Sequence, residues 1–388
     1  MKITDIREQV VPIRSAIRNA VIDFSEMTVS TVAVVSDVIR DAKAVTGFGF
    51  HSNGRYAQRG ILRERMIPRL MGAPAEALLS DDGENFDPFK AHQIMMRNEK
   101  PGGHGDRSVA VGTLDMAFWD LAAKLEGKPL AKLLAERFRG AQADREVFVY
   151  AAGGYYYPGK DQTTLQDEIR SYLDLGYDTV KIKIGGASLA EDLERIEAVL
   201  KIVSQGSRLA VDANARFDLK TALEYAEALG PYGLKWYEEP VEPLDYEAHA
   251  QVAAVSATPV ATGENLFSWL DSRNLIRHGG LRSDRDFLQM DPALSYGLVE
   301  YLQTLDMLKE HGWSWRRCVP HGGHQFALHI AAGLGLGGNE SYPSVFQPFG
   351  GFADSVAVEN SRVRIPDAPG MGIELKASLF EVFDELVA

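Results

Sequence analysis

The chain has 388 residues, of which 45% are apolar and 24% charged, and it carries a formal net charge of −13. These values describe a globular protein larger than one small domain, and the acidic balance excludes a basic face for nucleic acid or anionic lipid. A lone cysteine, Cys318, excludes an intramolecular disulfide framework and fits a reducing compartment. The opening MKITDIREQVVPIRS lacks the apolar core of a signal peptide, and no apolar run reaches the roughly 20 residues of a membrane helix. A cytoplasmic location, with no nucleic-acid or membrane partner, is therefore expected.

In chain order, ITDIREQVVPI and TVSTVAVVSDVI alternate apolar and polar residues as strands do, and a basic loop with Arg14 and Arg18 joins them. A third strand candidate, AVTGFGF, runs into the polar stretch HSNGRYAQRG. Helical spacing then dominates, most clearly in VAVGTLDMAFWDLAAKLEGKPLAKLLA. Strands followed by helices predict an α+β module over residues 1–135. From about residue 145, short β-rich runs alternate with helical segments such as LAEDLERIEAVLKIV. The runs are VFVYAAG, DTVKIKIG, RLAVDAN, LKWYEEP, PVATGEN, FLQMDPA, SWRRCVP and ESYPSVF. Eight β-then-α units predict an α/β fold, a modified (β/α) barrel of TIM type over residues 136–355. The remaining segment, 356–388, contains RVRIPDAPGMGIEL and is expected to return to the first module and complete it.

The predicted strands from the second to the seventh end in polar groups: Lys181 and Lys183, Asp212 and Asn214, Glu238, Glu264, Asp291 and His321. From Lys183 to His321 the successive separations are 26 to 30 residues, one βα unit each, so a barrel brings these groups to its C-terminal rim. A polar residue at a single strand end is unremarkable, but this many in phase are not. Asp212, Glu238 and Glu264 would repel one another unless a cation joined them, and oxygen-only donors favour Mg²⁺ over zinc or copper. Lys181 and Lys183, two apart on one strand, face the same side. Each should lower the other's pKa, which makes Lys183 the expected general base. Asp291 and His321 fall on adjacent strands, where a carboxylate would orient the imidazole and raise its pKa, making His321 the second acid/base group.

Three other motifs carry less. GYYYPGKD, residues 154–161, nearly fits a phosphate loop, but Asp161 replaces the Ser or Thr such a loop requires. GLGLGG, residues 333–338, has dinucleotide-site spacing but precedes a strand instead of following one. HGGHQFALH offers His321, His324 and His329 to zinc at a spacing that fits no common zinc site.

Together KIK (181–183), DAN (212–214), EEP (238–240), GEN (263–265) and the Asp291/His321 pair resemble the enolase superfamily, mandelate racemase subgroup. The resemblance spans nearly the whole chain, including WDLAAKLEGKPLAKLL. It implies a capping domain on a barrel, one Mg²⁺ held by Asp212, Glu238 and Glu264, and Lys183 and His321 on opposite faces of the substrate. It also implies that Lys181, Asn214 and Glu340 contact the substrate carboxylate or its enediolate, and that the protein is a homo-oligomer. The implied reaction is dehydration of an acid sugar, D-tartrate above all, with racemisation or epimerisation, or dehydration of another aldarate or aldonate, as the alternative. Specificity should come from loops near residues 14–25 and 50–60 and from NEKPGGHGDR. Arg55 and Lys100 are the candidate clamps for a second carboxylate.

Overall fold

The structure, a computed structural model, describes residues 1–13, 15–156 and 159–387. Arg14 of the basic loop and Tyr157 and Pro158 of GYYYPGKD lie outside the described residues. Strands β1 (Ile3–Pro12), β2 (Thr28–Arg40) and β3 (Lys43–Phe50) form an antiparallel sheet in the order β1-β2-β3. Helix α1 (Pro88–Met96) packs on the long, almost wholly buried α2 (Asp106–Leu125), which covers the sheet. The GFG of β3 is there for close approach. A Cβ at Gly47 or Gly49 would stand 2.1 Å from the Ala117 or Thr113 carbonyl oxygen of α2.

The barrel strands are β4 (Val147–Ala152), β5 (Val180–Lys183), β6 (Leu209–Asp212), β7 (Tyr237–Glu238), β8 (Val260–Thr262), β9 (Phe287–Leu288) and β10 (Asn339–Ser341). They run parallel in the order β10-β4-β5-β6-β7-β8-β9. Between them lie α3 (Gln162–Asp174), α4 (Leu189–Val203), α5 (Leu219–Leu229), α6 (Tyr246–Val255), α7 (Trp269–His278), α8 (Leu298–Glu310) and α9 (Gln325–Leu334). Strands buried on both faces read as continuous apolar runs, and helices with one apolar face return the chain to the next strand.

SWRRCVP departs from expectation. Trp315–Arg317 forms a 3-10 turn capped by Ser314, and only Cys318 pairs, by a single bridge to Leu288. Arg316 reaches out to Asp144 at 2.6 Å and Arg317 to the Arg285 carbonyl at 3.2 Å, so consecutive arginines hold this stretch at the surface. The ring closes instead through Pro320, whose carbonyl accepts from Glu340 N at 3.4 Å.

The C-terminal segment divides its contacts. Strand β11 (Arg362–Val363) pairs antiparallel with barrel strand β4, whereas the stretch from Gly370 to Glu374 and α10 (Ala377–Val387) return to the first module, Gly370 bridging to Pro129 and Met371 N donating to Asp120 at 2.8 Å. There Gln9 donates to the Val382 carbonyl at 2.7 Å and Arg7 to that of Leu386 at 2.6 Å.

Several histidines lie in the core. Burial holds His51, His92, His249, His324 and His329 down to about 4. In the unfolded chain each takes up a proton near pH 6.5. Their neutral burial is therefore free of cost above pH 6.5 and destabilises progressively as pH falls toward 4, by up to about 1.4 kcal/mol per pH unit per histidine. Urea unfolding is expected to show a clearly lower midpoint at pH 5 than at pH 7. An unchanged midpoint would refute this.

Candidate active site

Parallel register sets the site. Lys183 pairs with Asp212, Asp212 with Glu238, and Glu238 with Ala261, three residues before Glu264. Just past their strands, Asn214 and Glu239 (φ 46° and 41°) and Gly263 (φ 126°) adopt positive φ, turning the chain out over the barrel mouth. Asp212, Glu238 and Glu264 each offer an oxygen within 4.8 Å of the others, and all three residues are buried.

The surroundings of these carboxylates are mostly defined. Asp212 accepts from Lys183 and from Asn214 N at 2.8 Å. Glu238 accepts from Lys181, and from Trp236 Nε1 at 2.7 Å and Gln289 Nε2 at 2.8 Å. Glu264 Oε2 is buried with no hydrogen-bond partner. Burial and the Asp212 charge push the Glu238 carboxyl up to about 8 even though Lys181 opposes them. An oxygen-only donor set with an orphaned buried oxygen and mutually repelling acids fits a hard divalent cation, Mg²⁺, which these three residues would hold.

The lysine pair behaves differently from expectation. Burial would lower the Lys183 pKa, and Lys181 repels it as expected, but the Asp212 carboxylate, with smaller contributions from Tyr155 and Glu264, raises it overall. Lys181 is likewise raised, against its burial, by Glu238 and Glu340, the latter 2.7 Å away. In the metal-free protein both amines are ammonium partners of the acidic groups.

Across the mouth, Asp291 Oδ2 lies 2.8 Å from His321 Nδ1. Burial would lower the His321 pKa, yet Glu264, Asp291 and Glu340 raise it to about 10. Glu340 is held down to about 2, against its burial, by Lys181 and His321. Its Oε2 accepts from Gly322 N at 3.1 Å and from the Tyr342 hydroxyl at 2.9 Å. That hydroxyl also lies 3.3 Å from His321 Nε2. Tyr342 was not singled out from the sequence, although it stands two residues after Glu340. That is the same-face spacing that marked Lys181 and Lys183.

A cavity of about 380 Å³ opens over these groups, with Lys183, Asn214, Glu264 and His321 on its barrel side. The first module closes it through Asn19, Asn53, Arg55 and His104, from the three predicted specificity segments. Arg55 lines the cavity, donates to Asn265 Oδ1 and lies 4.6 Å over the Phe267 ring. Asn265 in turn donates to Glu239 at 2.8 Å, another pair not foreseen from the sequence. Lys100 is exposed and does not line the cavity; its carbonyl accepts from Arg107 at 2.9 Å. From the same segment His104 faces the cavity, its Nδ1 3.1 Å from the Tyr296 hydroxyl.

The remaining motifs have structural partners. His324 Nε2 lies 2.7 Å from Ser52 Oγ, and His329 Nδ1 accepts from Ala131 N at 3.2 Å, so neither joins His321 on a metal. GLGLGG ends α9, with Gly335 as its left-handed cap at φ 70°.

Residues 6–135 match the mandelate racemase / muconate lactonizing enzyme N-terminal domain, and residues 164–379 match the enolase C-terminal domain-like family. The chain is 30% identical over 344 residues to L-talarate/galactarate dehydratase of Salmonella typhimurium, covering 89% of this chain and 81% of that one. It is 29% identical over 318 residues to arabinonate dehydratase of Saccharolobus solfataricus, covering 79% and 80%. Among solved structures, L-talarate dehydratase from Polaromonas sp. JS666, complexed with Mg and L-glucarate, superposes with a TM-score of 0.77 at 25% identity, over 95% of this chain and 92% of that one. With both domain models matched in order and the acidic trio at the ends of consecutive barrel strands, the chain belongs to the mandelate racemase / muconate lactonizing enzyme group of the enolase superfamily.

Proposed function

We propose that this protein is a Mg²⁺-dependent acid-sugar dehydratase whose substrate is D-tartrate and whose product is oxaloacetate. The observation that carries this reading is the buried trio Asp212, Glu238 and Glu264, with Lys183 and the Asp291-bound His321 lining the same cavity. The named dehydratase relatives support the reaction class. The choice of tartrate rests on overall sequence resemblance.

A proton alpha to a carboxylate is weakly acidic because its removal leaves a second negative charge on the same group. Bound at the trio, Mg²⁺ would supply positive charge to the substrate carboxylate and compete with the Lys183 ammonium for Asp212. Lys181, buried between Glu238 and Glu340, adds a fixed ammonium beside that carboxylate. Lys183, as the free amine, takes the C2 proton. His321, held through Nδ1 by Asp291, gives its Nε2 proton to the C3 hydroxyl; the C3–O bond breaks and water leaves. The resulting enol tautomerises to the keto acid.

Arg55 is the clamp for the distal carboxylate in this reading, since it lines the cavity on the side of the first module. Lys100, exposed as it stands, would have to move to share that role.

The test is a panel of tartrate stereoisomers, galactarate, L-talarate and arabinonate with Mg²⁺, read by 2-keto acid formation. D-Tartrate is expected to give the highest kcat/KM. Loss of optical rotation without keto acid, as inversion at C2 turns D-tartrate into the achiral meso form, would instead indicate a racemase or epimerase, and a panel without turnover would reject the reading. In the same assay Arg55→Ala should raise the KM for tartrate by about 10- to 100-fold, the cost of a charged hydrogen bond, and affect the monocarboxylate arabinonate less. An unchanged KM for tartrate would place the clamp elsewhere.

A further inference from the structure

We propose that Tyr342 is the positioning residue for His321 during water loss, its hydroxyl serving the imidazole in both of its protonation states. The proposal rests on the dehydratase reading above and assigns a residue to the second half of that reaction.

The Tyr342 ring is 1% exposed and packs edge-on against Phe346, with centroids 4.8 Å apart, so it has one place to be. His321 Nδ1 is taken by Asp291 Oδ2 at 2.8 Å, which leaves Nε2 as the nitrogen that meets substrate. Among the described residues, Tyr342 brings a hydroxyl to Nε2, at 3.3 Å; the carboxylates of Glu264 and Glu340 stand at 3.9 Å.

A phenol has one proton to donate and an oxygen that accepts. With that proton on Glu340 Oε2 at 2.9 Å, the Tyr342 oxygen is free to accept from the Nε2–H of the charged ring. Once Nε2 has given its proton to the departing C3 oxygen, it becomes an acceptor. The same hydroxyl can then turn and donate to it. Glu340 is not stranded by that turn, because Gly322 N still donates to Oε2 at 3.1 Å and Lys181 stands 2.7 Å from Oε1. Tyr342 keeps its proton throughout. The ring of His321 thus has a partner on Nε2 until the C3 oxygen engages that proton and again after the proton has left.

Lys183 depends on a different tyrosine. Its ammonium lies 5.0 Å from the centre of the Tyr155 ring and bonds to Asp212. Loss of the Tyr342 hydroxyl should therefore separate the two half-reactions, which general damage to the site would not do.

The experiment compares Tyr342→Phe with wild type in D₂O with Mg²⁺, reading by NMR both keto-acid formation and exchange of the C2 hydrogen. Exchange is measured on the preferred acid sugar and on malate, which has a C2 hydrogen but no C3 hydroxyl. Water loss is expected to fall by about 10- to 100-fold, the usual cost of losing a partner that orients an active group. Exchange on either compound should stay within about threefold, and this retained exchange also shows that the variant is folded. A parallel fall in both activities, an unfolded variant included, would make Tyr342 merely structural and overturn the proposal. Undiminished water loss would overturn it as well. If the wild type neither exchanges nor dehydrates any substrate, the dehydratase reading itself fails and takes this assignment with it.

Discussion

Replacing Lys183 by alanine is expected to abolish exchange of the C2 hydrogen and to lower dehydration by about 10²- to 10⁴-fold, the range that a positioned proton-transfer group supplies. The residue lines the cavity, is 4% exposed and has its amine on Asp212. The same contact gives the substitution a second effect, of opposite sign. In the metal-free protein Lys183 is the main group holding the Asp212 carboxyl well below its usual range, against a burial that would raise it. Removing the ammonium removes a competitor for a carboxylate that the metal needs. Mg²⁺ should therefore bind the variant at least as tightly as wild type by calorimetry, while turnover is lost. Lys181, 3.4 Å from Asp212, limits the damage to folding, so the variant should remain soluble and cooperative in melting. Persistent C2 exchange would remove Lys183 from the role of base. Lost Mg²⁺ binding would show that the alanine had deformed the carboxylate trio.

The acidic trio could be read from the sequence because a parallel barrel converts spacing into position. Asp212 and Glu238 sit at one register level on adjacent strands, and Glu264 follows β8 by two residues. The period-two rule identified Lys181 and Lys183 as neighbours, and the same rule applied to Glu340 would have found Tyr342. The sign of the lysine shift was not legible, because it depends on which carboxylate each amine reaches. Lys183 meets Asp212 directly, and this attraction exceeds the repulsion from Lys181. The seventh strand was overestimated because Trp315, Arg316 and Arg317 fit β propensity locally, while their partners, Asp144 and the Arg285 and Leu305 carbonyls, all lie outside the segment. For the same reason the wall supplied by the first module could be given only as segments. Arg55 reaches the site through Asn265, 210 residues away, and His104 through Tyr296, and no local pattern encodes either contact.

Glu264→Gln should separate metal binding from folding. The substitution keeps shape and removes one negative charge from a buried group of acids. Glu264 Oε2 has no hydrogen-bond partner, and after burial and Asp212 the Glu264 charge is among those that push Glu238 up to about 8. Neutralising it relieves repulsion from Asp212 and Glu238 and also removes an attraction to His321, whose Nε2 stands 3.9 Å away, so the two effects oppose and without metal the variant should melt close to wild type. With metal the two proteins diverge. A ligand that binds only the folded state stabilises it by RT ln(1 + [L]/Kd), about 2.7 kcal/mol at a hundred times Kd. Wild type should gain that increment on addition of Mg²⁺, and the variant should gain almost none. Its Mg²⁺ affinity should be at least about 100-fold weaker, since even outer partners of metal ligands cost about 10- to 100-fold. Turnover should disappear with the metal. Thermal melts with EDTA and with Mg²⁺ on both proteins give the four values needed. An equal Mg²⁺-induced rise in the two proteins would show that Glu264 holds no metal, and a variant strongly destabilised without metal would show that the Glu264–His321 attraction outweighs the repulsion among the acids.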